Sequence, residues 1–178
     1  MQRRELHHRR SIRLKEYNYS EPGFYFVTIC VKDKKCILGK VVDDLVNFDT
    51  KVELSEIGKI VEKEWLEIKN YFIGIEVDNY VIMPNHIHGI IVINVGAIHE
   101  LPLQRRKMVL SKIIGKFKMN TAKRINVFMN NSGCSFWQRN YYEHIIRNEK
   151  ELEKIRNYII DNPRKWDKDS ENPKNVFS

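Results

Sequence analysis

The apolar residues of this chain alternate repeatedly between the two-residue period of a β-strand and the 3.6-residue period of an α-helix. The strand-like segments are GFYFVTICV, IGIEVDNYVIM, HIHGIIVINV and WQRNYYEHIIR. The helical segments are LSEIGKIVEKEWLEIKN, the stretch from about Lys107 to Arg124, and EKELEKIRNYIID. This order predicts an α+β, ferredoxin-like βαββαβ fold, which is an antiparallel sheet with two helices on one face. The third helix is left to pack near the other face.

Local signals set the ends of these elements. Ser55 can cap the first helix, and Asn148 begins the last helix, which Asn162-Pro163 ends. Pro84-Asn85 is the tight turn of a hairpin between two strands. A shorter apolar segment, CILGKVV, predicts one additional strand near the start of the chain.

The size and composition of the chain, 178 residues with 42% hydrophobic content, predict a single globular domain. We expect a basic N-terminal arm over residues 1–20, the domain over 21–166 and a polar tail over 167–178. No apolar run approaches the roughly 20 residues of a membrane span, and the N-terminus has no apolar signal region. Three cysteines without CxxC spacing predict reduced thiols, and together these features predict a cytoplasmic protein without a membrane partner.

Basic residues are concentrated in two parts of the chain, which carries 31 Lys and Arg against 23 Asp and Glu. One group lies in the N-terminal arm and the other follows the polar side of the helix predicted from Lys107 to Arg124. Such an asymmetry favours a polyanionic partner, nucleic acid first, although a solvated basic surface explains the charge equally well. The side chains best placed to contact phosphates are Arg9, Arg10, Arg13, Lys112, Lys116 and Lys123.

His86 and His88 are two residues apart on the strand that follows the Pro84-Asn85 turn. Because strand side chains alternate, the two imidazoles project from one face while Ile87 points to the other. Two imidazoles on so small a patch can share a metal ion. The same spacing also describes two polar residues on the wet face of a strand, so both interpretations stay open at this point.

Tyr158 and Asn162 are four residues apart on the last helix, so they lie on one side of it, at the border of its apolar stripe. A tyrosine there can lean over a sheet while its hydroxyl stays accessible. The amide oxygen of Asn162 is a hard ligand suited to Mg²⁺ or Mn²⁺. Alternatively, Tyr158 packs with its hydroxyl in water and Asn162 only caps the helix.

Several segments, taken in order, resemble the REP-associated tyrosine transposases, a group of single-tyrosine HUH transposases related to the small transposases of bacterial insertion sequences. The segments are RRSIRLKEYNYSEPGFYFVTIC, LSEIGKIVEKEW, VIMPNHIHGIIVI, LSKIIGKFKMNTAKRIN and FWQRNYYEHIIRNEKELEKIRNYIIDNPRKW. The resemblance covers about Arg9 to Trp166. It implies that the domain over 21–166 is a single HUH transposase-like catalytic domain in the bacterial cytosol, associated with the nucleoid.

The same resemblance implies the roles of individual residues. HIH matches the HUH motif, so His86 and His88 would be metal ligands, and Asn162 would be the third at a position where many relatives have glutamine. Tyr158 would be the nucleophile. The implied reaction is cleavage and rejoining of single-stranded hairpin or palindromic DNA through a 5′-phosphotyrosine, with Mg²⁺ or Mn²⁺ as the cofactor. A monomer and a homodimer in which the tyrosine acts in trans both fit the sequence.

Two functions of other kinds also fit these residues. A non-catalytic single-stranded nucleic-acid-binding module could stack bases on Trp137, Tyr141 and Tyr142. A hydrolytic metallonuclease could activate water on an ion held by the HIH pair and His144. Incubation with single-stranded DNA distinguishes the three functions by a covalent adduct, no cleavage, or cleavage without an adduct.

Overall fold

A four-stranded antiparallel sheet is the centre of the molecule. The computed structural model describes residues 22–44, 49–94, 109–131, 133 and 135–175. The strands of this sheet are β1 (Gly23–Cys30), β4 (Ile75–Ile82), β5 (His86–Ile93) and β6 (Tyr142–Ile146). Their order across the sheet is β4-β5-β1-β6, and each neighbouring pair is antiparallel. This topology confirms the predicted ferredoxin-like arrangement.

In the part of the chain that the structure describes, four α-helices accompany the sheet. They are α1 (Glu56–Leu66), the short α2 (Ile68–Tyr71), α3 (Val109–Phe128) and α4 (Glu149–Asp161). The Ser55 hydroxyl accepts a hydrogen bond from the Gly58 amide at 3.0 Å, so the predicted cap of α1 is confirmed. Among the described residues, no helix has the length and apolarity that crossing a membrane requires.

The sheet is covered on both faces. On one face α1 and α3 bury Trp65 and Phe117 in the main core, which includes Ile87 of β5. On the other face Ile159 of α4 packs in a smaller apolar cluster with Ile90 of β5. The alternation of side chains along β5 therefore sends Ile87 towards α1 and α3, and sends His86, His88 and Ile90 towards α4.

Two details of the fold differ from the sequence prediction. CILGKVV does contain a strand, β2 (Gly39–Asp44), but it pairs in a separate hairpin with a strand that was not predicted, β3 (Asp49–Leu54). The side chains of β3 alternate between exposed and half-buried, and none is fully buried, so its period-two pattern is present but short and weakly apolar. Helix α3 also continues past Arg124 into a stretch expected to be a loop, because Ile125 is buried in the core.

The C-terminal segment, residues 163–175, packs against the domain. It forms two short 3₁₀ turns, Pro163–Lys168 and Pro173–Asn175. Asn172 is buried between them and its side-chain amide donates to the Trp166 carbonyl at 2.9 Å. A segment that looks like a polar tail in the sequence thus lies against the domain in the structure.

Candidate active site

The two imidazoles of the HIH motif meet at the start of β5, on the face that α4 covers. His86 is 0% exposed and His88 is 4% exposed. Their Nε2 atoms are 3.0 Å apart. Two nitrogen ligands bound about 2.1 Å from one ion, at a right angle to each other, would lie about 3.0 Å apart. The interpretation as a wet strand face is wrong, because both side chains are buried.

Neighbouring side chains fix the orientation of both rings. The Nδ1 atom of His86 lies 2.8 Å from Oδ1 of Asn85. An amide oxygen only accepts, so the proton of His86 is on Nδ1 and the lone pair of Nε2 is free for a metal. Nδ1 of His88 lies 2.9 Å from the Thr28 hydroxyl, which holds its Nε2 towards His86.

Burial keeps both imidazoles neutral. It lowers the pKa of His88 to about 3, and burial together with the charges of His88 and Lys34 lowers the pKa of His86 well below its usual value. A metal binds only the neutral form of imidazole. The pair is therefore ready to bind a cation at neutral pH without first losing a proton.

Tyr158 on α4 reaches the histidine pair. Its hydroxyl oxygen lies 3.3 Å from Nε2 of His88, and its ring stands edge-on to Phe26 of β1. The side chain is 42% exposed, so the hydroxyl borders both the site and solvent. Burial raises the pKa of Tyr158, the charge of Asp169 raises it further, and a hydrogen bond with the Asn162 side chain opposes the rise.

Asn162 follows the last turn of α4 and is only 2% exposed. Its backbone N–H donates to the Ile159 carbonyl at 3.3 Å. Its side-chain Oδ1 has no hydrogen-bond partner among the described residues. Leaving a buried acceptor unpaired costs about 1–3 kcal/mol, so this oxygen needs a partner that the protein atoms do not supply. A divalent cation between Asn162 and the imidazoles would be such a partner.

Asp169 is the one member of the site that sequence reasoning missed. Its Oδ2 lies 3.8 Å from Nε2 of His86, and ligand atoms of His86, His88 and Asp169 all lie within 4.8 Å of one another. Nothing in the sequence singles out this residue, because Asp167 and Glu171 flank it in the same polar stretch after the last helix. Neutral imidazoles, an amide oxygen and a carboxylate together are a donor set that fits a divalent cation.

Three residues named in the alternative functions have other roles. His144 lies outside the cluster and its Nε2 is 2.8 Å from a carboxylate oxygen of Glu151, so the structure does not assemble a three-histidine site from it. Trp137 is buried and donates its indole N–H to the Thr121 hydroxyl at 2.7 Å, so it offers no ring face to a base. Tyr142 is exposed and lies edge-on to Phe26.

The basic residues named from the sequence do not join this site. Lys112, Lys116 and Lys123 are exposed on α3, which packs on the face of the sheet opposite to His86 and His88. Residues 1–21, which include Arg9, Arg10 and Arg13, lie outside the described residues.

Comparison with known proteins gives three findings. Residues 25–162 match a family described as "Transposase IS200 like". A protein of Haemophilus influenzae, described as uncharacterized, is 41% identical in an alignment 175 residues long that covers 92% of this chain and 93% of that protein. The solved structure of a REP-associated tyrosine transposase bound to a REP hairpin shares the fold, with a TM-score of 0.52 and 17% identity over 86% of this chain and 73% of that one.

Proposed function

The chain belongs to the family of IS200-like transposases, and on that premise we propose that it cuts and rejoins single-stranded DNA through a covalent link to Tyr158. Family membership makes it a DNA-processing enzyme. The observation that carries the finer proposal is the convergence of Tyr158 and the histidine pair, with the hydroxyl 3.3 Å from Nε2 of His88. A nucleophile beside a candidate cation site is the arrangement that phosphodiester transfer needs.

The residues that would hold the cation are His86, His88 and Asn162. When bound, a Mg²⁺ or Mn²⁺ ion supplies positive charge to the scissile phosphate and offsets the charge that develops in the transition state. The chain's own residues arrange the site for this. Asn85 and Thr28 orient the imidazoles, and burial keeps them neutral.

Tyr158 performs the covalent step. Its phenolic O–H loses its proton as the oxygen attacks phosphorus, the bond from phosphorus to the 3′ oxygen breaks, and the 3′ oxygen takes up a proton and leaves as a hydroxyl. The 5′ end stays joined to Tyr158, so the bond energy is kept and attack by a 3′-hydroxyl reseals the strand without ATP. Burial and the charge of Asp169 raise the pKa of Tyr158, and the hydrogen bond with the Asn162 side chain opposes only part of this rise, so the neutral phenol is favoured before attack.

We propose hairpin or palindromic single-stranded DNA as the substrate. The fold is shared with a transposase whose structure holds a REP hairpin, which supports this choice. Lys112, Lys116 and Lys123 would contact backbone phosphates away from the scissile bond, because α3 lies across the sheet from Tyr158. The arginines of the N-terminal arm would add further phosphate contacts.

A denaturing gel tests the proposal. The full chain is incubated with 5′- or 3′-labelled single-stranded DNA carrying a palindrome, with Mn²⁺ or with EDTA. We expect a protein–DNA adduct that disappears in EDTA and in the Tyr158→Phe variant, while Tyr142→Phe, which alters an exposed tyrosine near the same Phe26 ring, retains it. Cleavage without an adduct would instead indicate hydrolysis, and an adduct in Tyr158→Phe would refute the assigned nucleophile.

A further inference from the structure

The C-terminal segment, residues 163–175, reaches the histidine pair from outside the matched family region, which ends at residue 162. After α4 the chain turns so that the Trp166 ring lies 6.1 Å from the His86 ring. Three residues later Oδ2 of Asp169 lies 3.8 Å from Nε2 of His86. The segment thus brings a carboxylate to the point where the two imidazoles meet.

The carboxylate of Asp169 is held with one oxygen towards the imidazoles. Its Oδ1 accepts a hydrogen bond from the Glu171 amide at 2.7 Å, so Oδ2 is the oxygen turned to His86. The side chain is only 7% exposed, and no lysine or arginine of the described residues forms an ion pair with it. A buried carboxylate that faces neutral rings is costly unless a cation compensates it.

A set of contacts positions the segment on the sheet independently of Asp169. The Asn85 side-chain amide donates to the Glu171 carbonyl at 2.8 Å, while Oδ1 of the same side chain orients His86. Lys34 donates to the Ser170 carbonyl at 3.2 Å and pairs with the Glu171 carboxylate at 3.3 Å. These contacts bring residues 169–171 to the histidines and leave the carboxylate of Asp169 aimed at them.

We propose that Asp169 is a ligand of the divalent ion, so that the bound ion fastens the C-terminal segment beside the histidine pair. The inference rests on the proposed metal-dependent function. It adds an anionic ligand, Asp169, that lies beyond residues 25–162, the part of the chain that matches the family. Two neutral imidazoles and an amide oxygen bring no charge to a divalent ion. A carboxylate adds one negative charge, which strengthens binding by direct attraction.

Mn²⁺ binding to the full chain, freed of metal by EDTA and dialysis, tests this ligand directly. Electron paramagnetic resonance counts free Mn²⁺ and gives its dissociation constant without DNA. We expect Asp169→Asn to raise the dissociation constant at least about tenfold. Asp167→Asn, which alters an exposed carboxylate of the same segment, should leave it within about twofold. An Asp169→Asn protein that binds Mn²⁺ as tightly as the wild type overturns the proposal.

Cys30 provides a second readout that needs no change at Asp169. Its thiol donates to a Glu171 carboxylate oxygen at 3.4 Å, and burial with that negative charge raises its pKa to about 12, so docking of the segment suppresses its reactivity. In a Cys134→Ser background, Mn²⁺ should slow alkylation of Cys30 several-fold and leave the exposed Cys36 unchanged. No slowing of Cys30 alkylation would show that the other contacts alone hold the segment, and it would overturn the proposal that the ion fastens it.

The two proposals fail in different experiments. If the wild-type chain binds Mn²⁺ through Asp169 but forms no adduct with DNA, the proposed function is wrong and the ligand assignment stands. If an adduct forms and Asp169→Asn binds Mn²⁺ normally, the proposed function stands and the assignment of Asp169 as a ligand is wrong. A wild-type chain that binds no Mn²⁺ at all refutes both the ion and its carboxylate ligand.

Discussion

At the residue scale, the two imidazole side chains of the histidine pair are both buried and uncharged. His86 and His88 are almost fully buried, yet each ring has a defined partner for Nδ1, so that both Nε2 atoms point to one place. Each ring nitrogen lies within hydrogen-bonding distance of a neighbour, so the pair is tolerated in the core without a ligand. The proposed cation would replace only the contact between the two Nε2 atoms.

The same burial makes stability depend on pH. The pKa of His88 in the folded chain, about 3, lies below the value near 6.5 of an unfolded histidine, so its contribution to stability is complete above pH 6.5 and is lost as the pH falls towards 3. In EDTA we expect the free energy of unfolding to fall between pH 6 and pH 4.5. The slope of the free energy of unfolding against pH should be smaller in His88→Gln than in the wild type, by up to about 1.4 kcal/mol per pH unit.

Urea unfolding at several pH values measures this slope. The slope is the readout, because the substitution also changes the absolute free energy of unfolding through lost packing. Equal slopes in the two proteins would mean that His88 is protonated to the same extent in the folded and unfolded chains.

The individual residues of the site were predictable to different degrees. The spacing of His86 and His88, and of Tyr158 and Asn162, follows from strand and helix periods, so each pair could be placed on one face from the sequence. That the two pairs meet depends on tertiary packing, which only the family resemblance implied. Asp169 had no such signal, because its position is set by hydrogen bonds of a segment without a repeating pattern.

At the scale of elements, α4 must be held accurately against the sheet, since it carries Tyr158. Arg156 of α4 makes two hydrogen bonds to the carboxylate of Asp78 in β4, at 3.2 and 2.6 Å. This contact ties the tyrosine helix to the strand beside the one that carries the histidines. The hydrogen bond from Arg156 lowers the pKa of Asp78, as expected for a stabilising pair.

We expect Asp78→Asn to lower the free energy of unfolding at pH 7 by about 1 kcal/mol, a value kept small because the pair is partly exposed. Glu149→Gln is the matched control, since Glu149 is exposed and lies 3.8 Å from the same arginine. Chemical denaturation of both variants checks the prediction. A larger loss in Glu149→Gln than in Asp78→Asn would contradict it.

Strand β5 is also fixed from its other face. A side chain at Gly89 would run into the Trp65 ring of α1, so the close approach of helix and strand requires glycine here. We expect Gly89→Ala to lower the free energy of unfolding by about 1–3 kcal/mol. Gly115→Ala, at an open position in α3, should raise it by up to about 1 kcal/mol. Thermal denaturation compares the two, and a Gly89→Ala protein as stable as wild type would contradict the account.

The elements themselves were largely predictable, and the exceptions have physical reasons. Strand β3 was missed because its alternation spans only six residues and has two strongly apolar side chains, Val52 and Leu54, which are half-buried. The end of α3 was placed too early because the apolar residues after Ile125, namely Val127, Phe128 and Met129, are exposed and do not continue the buried stripe. Burial of Ile125 and the left-handed residue Asn130, with φ 48°, decide where the helix stops.

At the scale of the whole molecule, the sheet separates two surfaces. The face covered by α4 carries Tyr158 and the histidine pair, whereas the exposed lysines of α3 lie on the opposite side. A DNA molecule that contacts both Tyr158 and the lysines of α3 must extend around the domain. The lysines of α3 would therefore supply affinity for DNA, and the surface with Tyr158 would supply the chemistry.

This separation predicts the behaviour of a triple variant in which Lys112, Lys116 and Lys123 are alanine. Its affinity for hairpin DNA should fall, and the slope of log K against log salt should become shallower by about 2, for three phosphates at about 0.7 each. The rate of adduct formation at saturating DNA should not change. Binding titrations at several salt concentrations test this, with Lys63→Ala, an exposed lysine of α1, as control. An unchanged salt slope would contradict the assigned phosphate contacts.

We expect Tyr158 to become joined to the 5′ end of cleaved DNA, which peptide mapping can detect on the residue itself. The full chain is incubated with Mn²⁺ and single-stranded palindromic DNA, digested with nuclease and protease, and analysed by tandem mass spectrometry. The account predicts a nucleotide 5′-phosphate on the peptide that contains Tyr158 and on that residue. A nucleotide on Tyr142 or any other side chain, or cleaved DNA without a modified peptide, would contradict it.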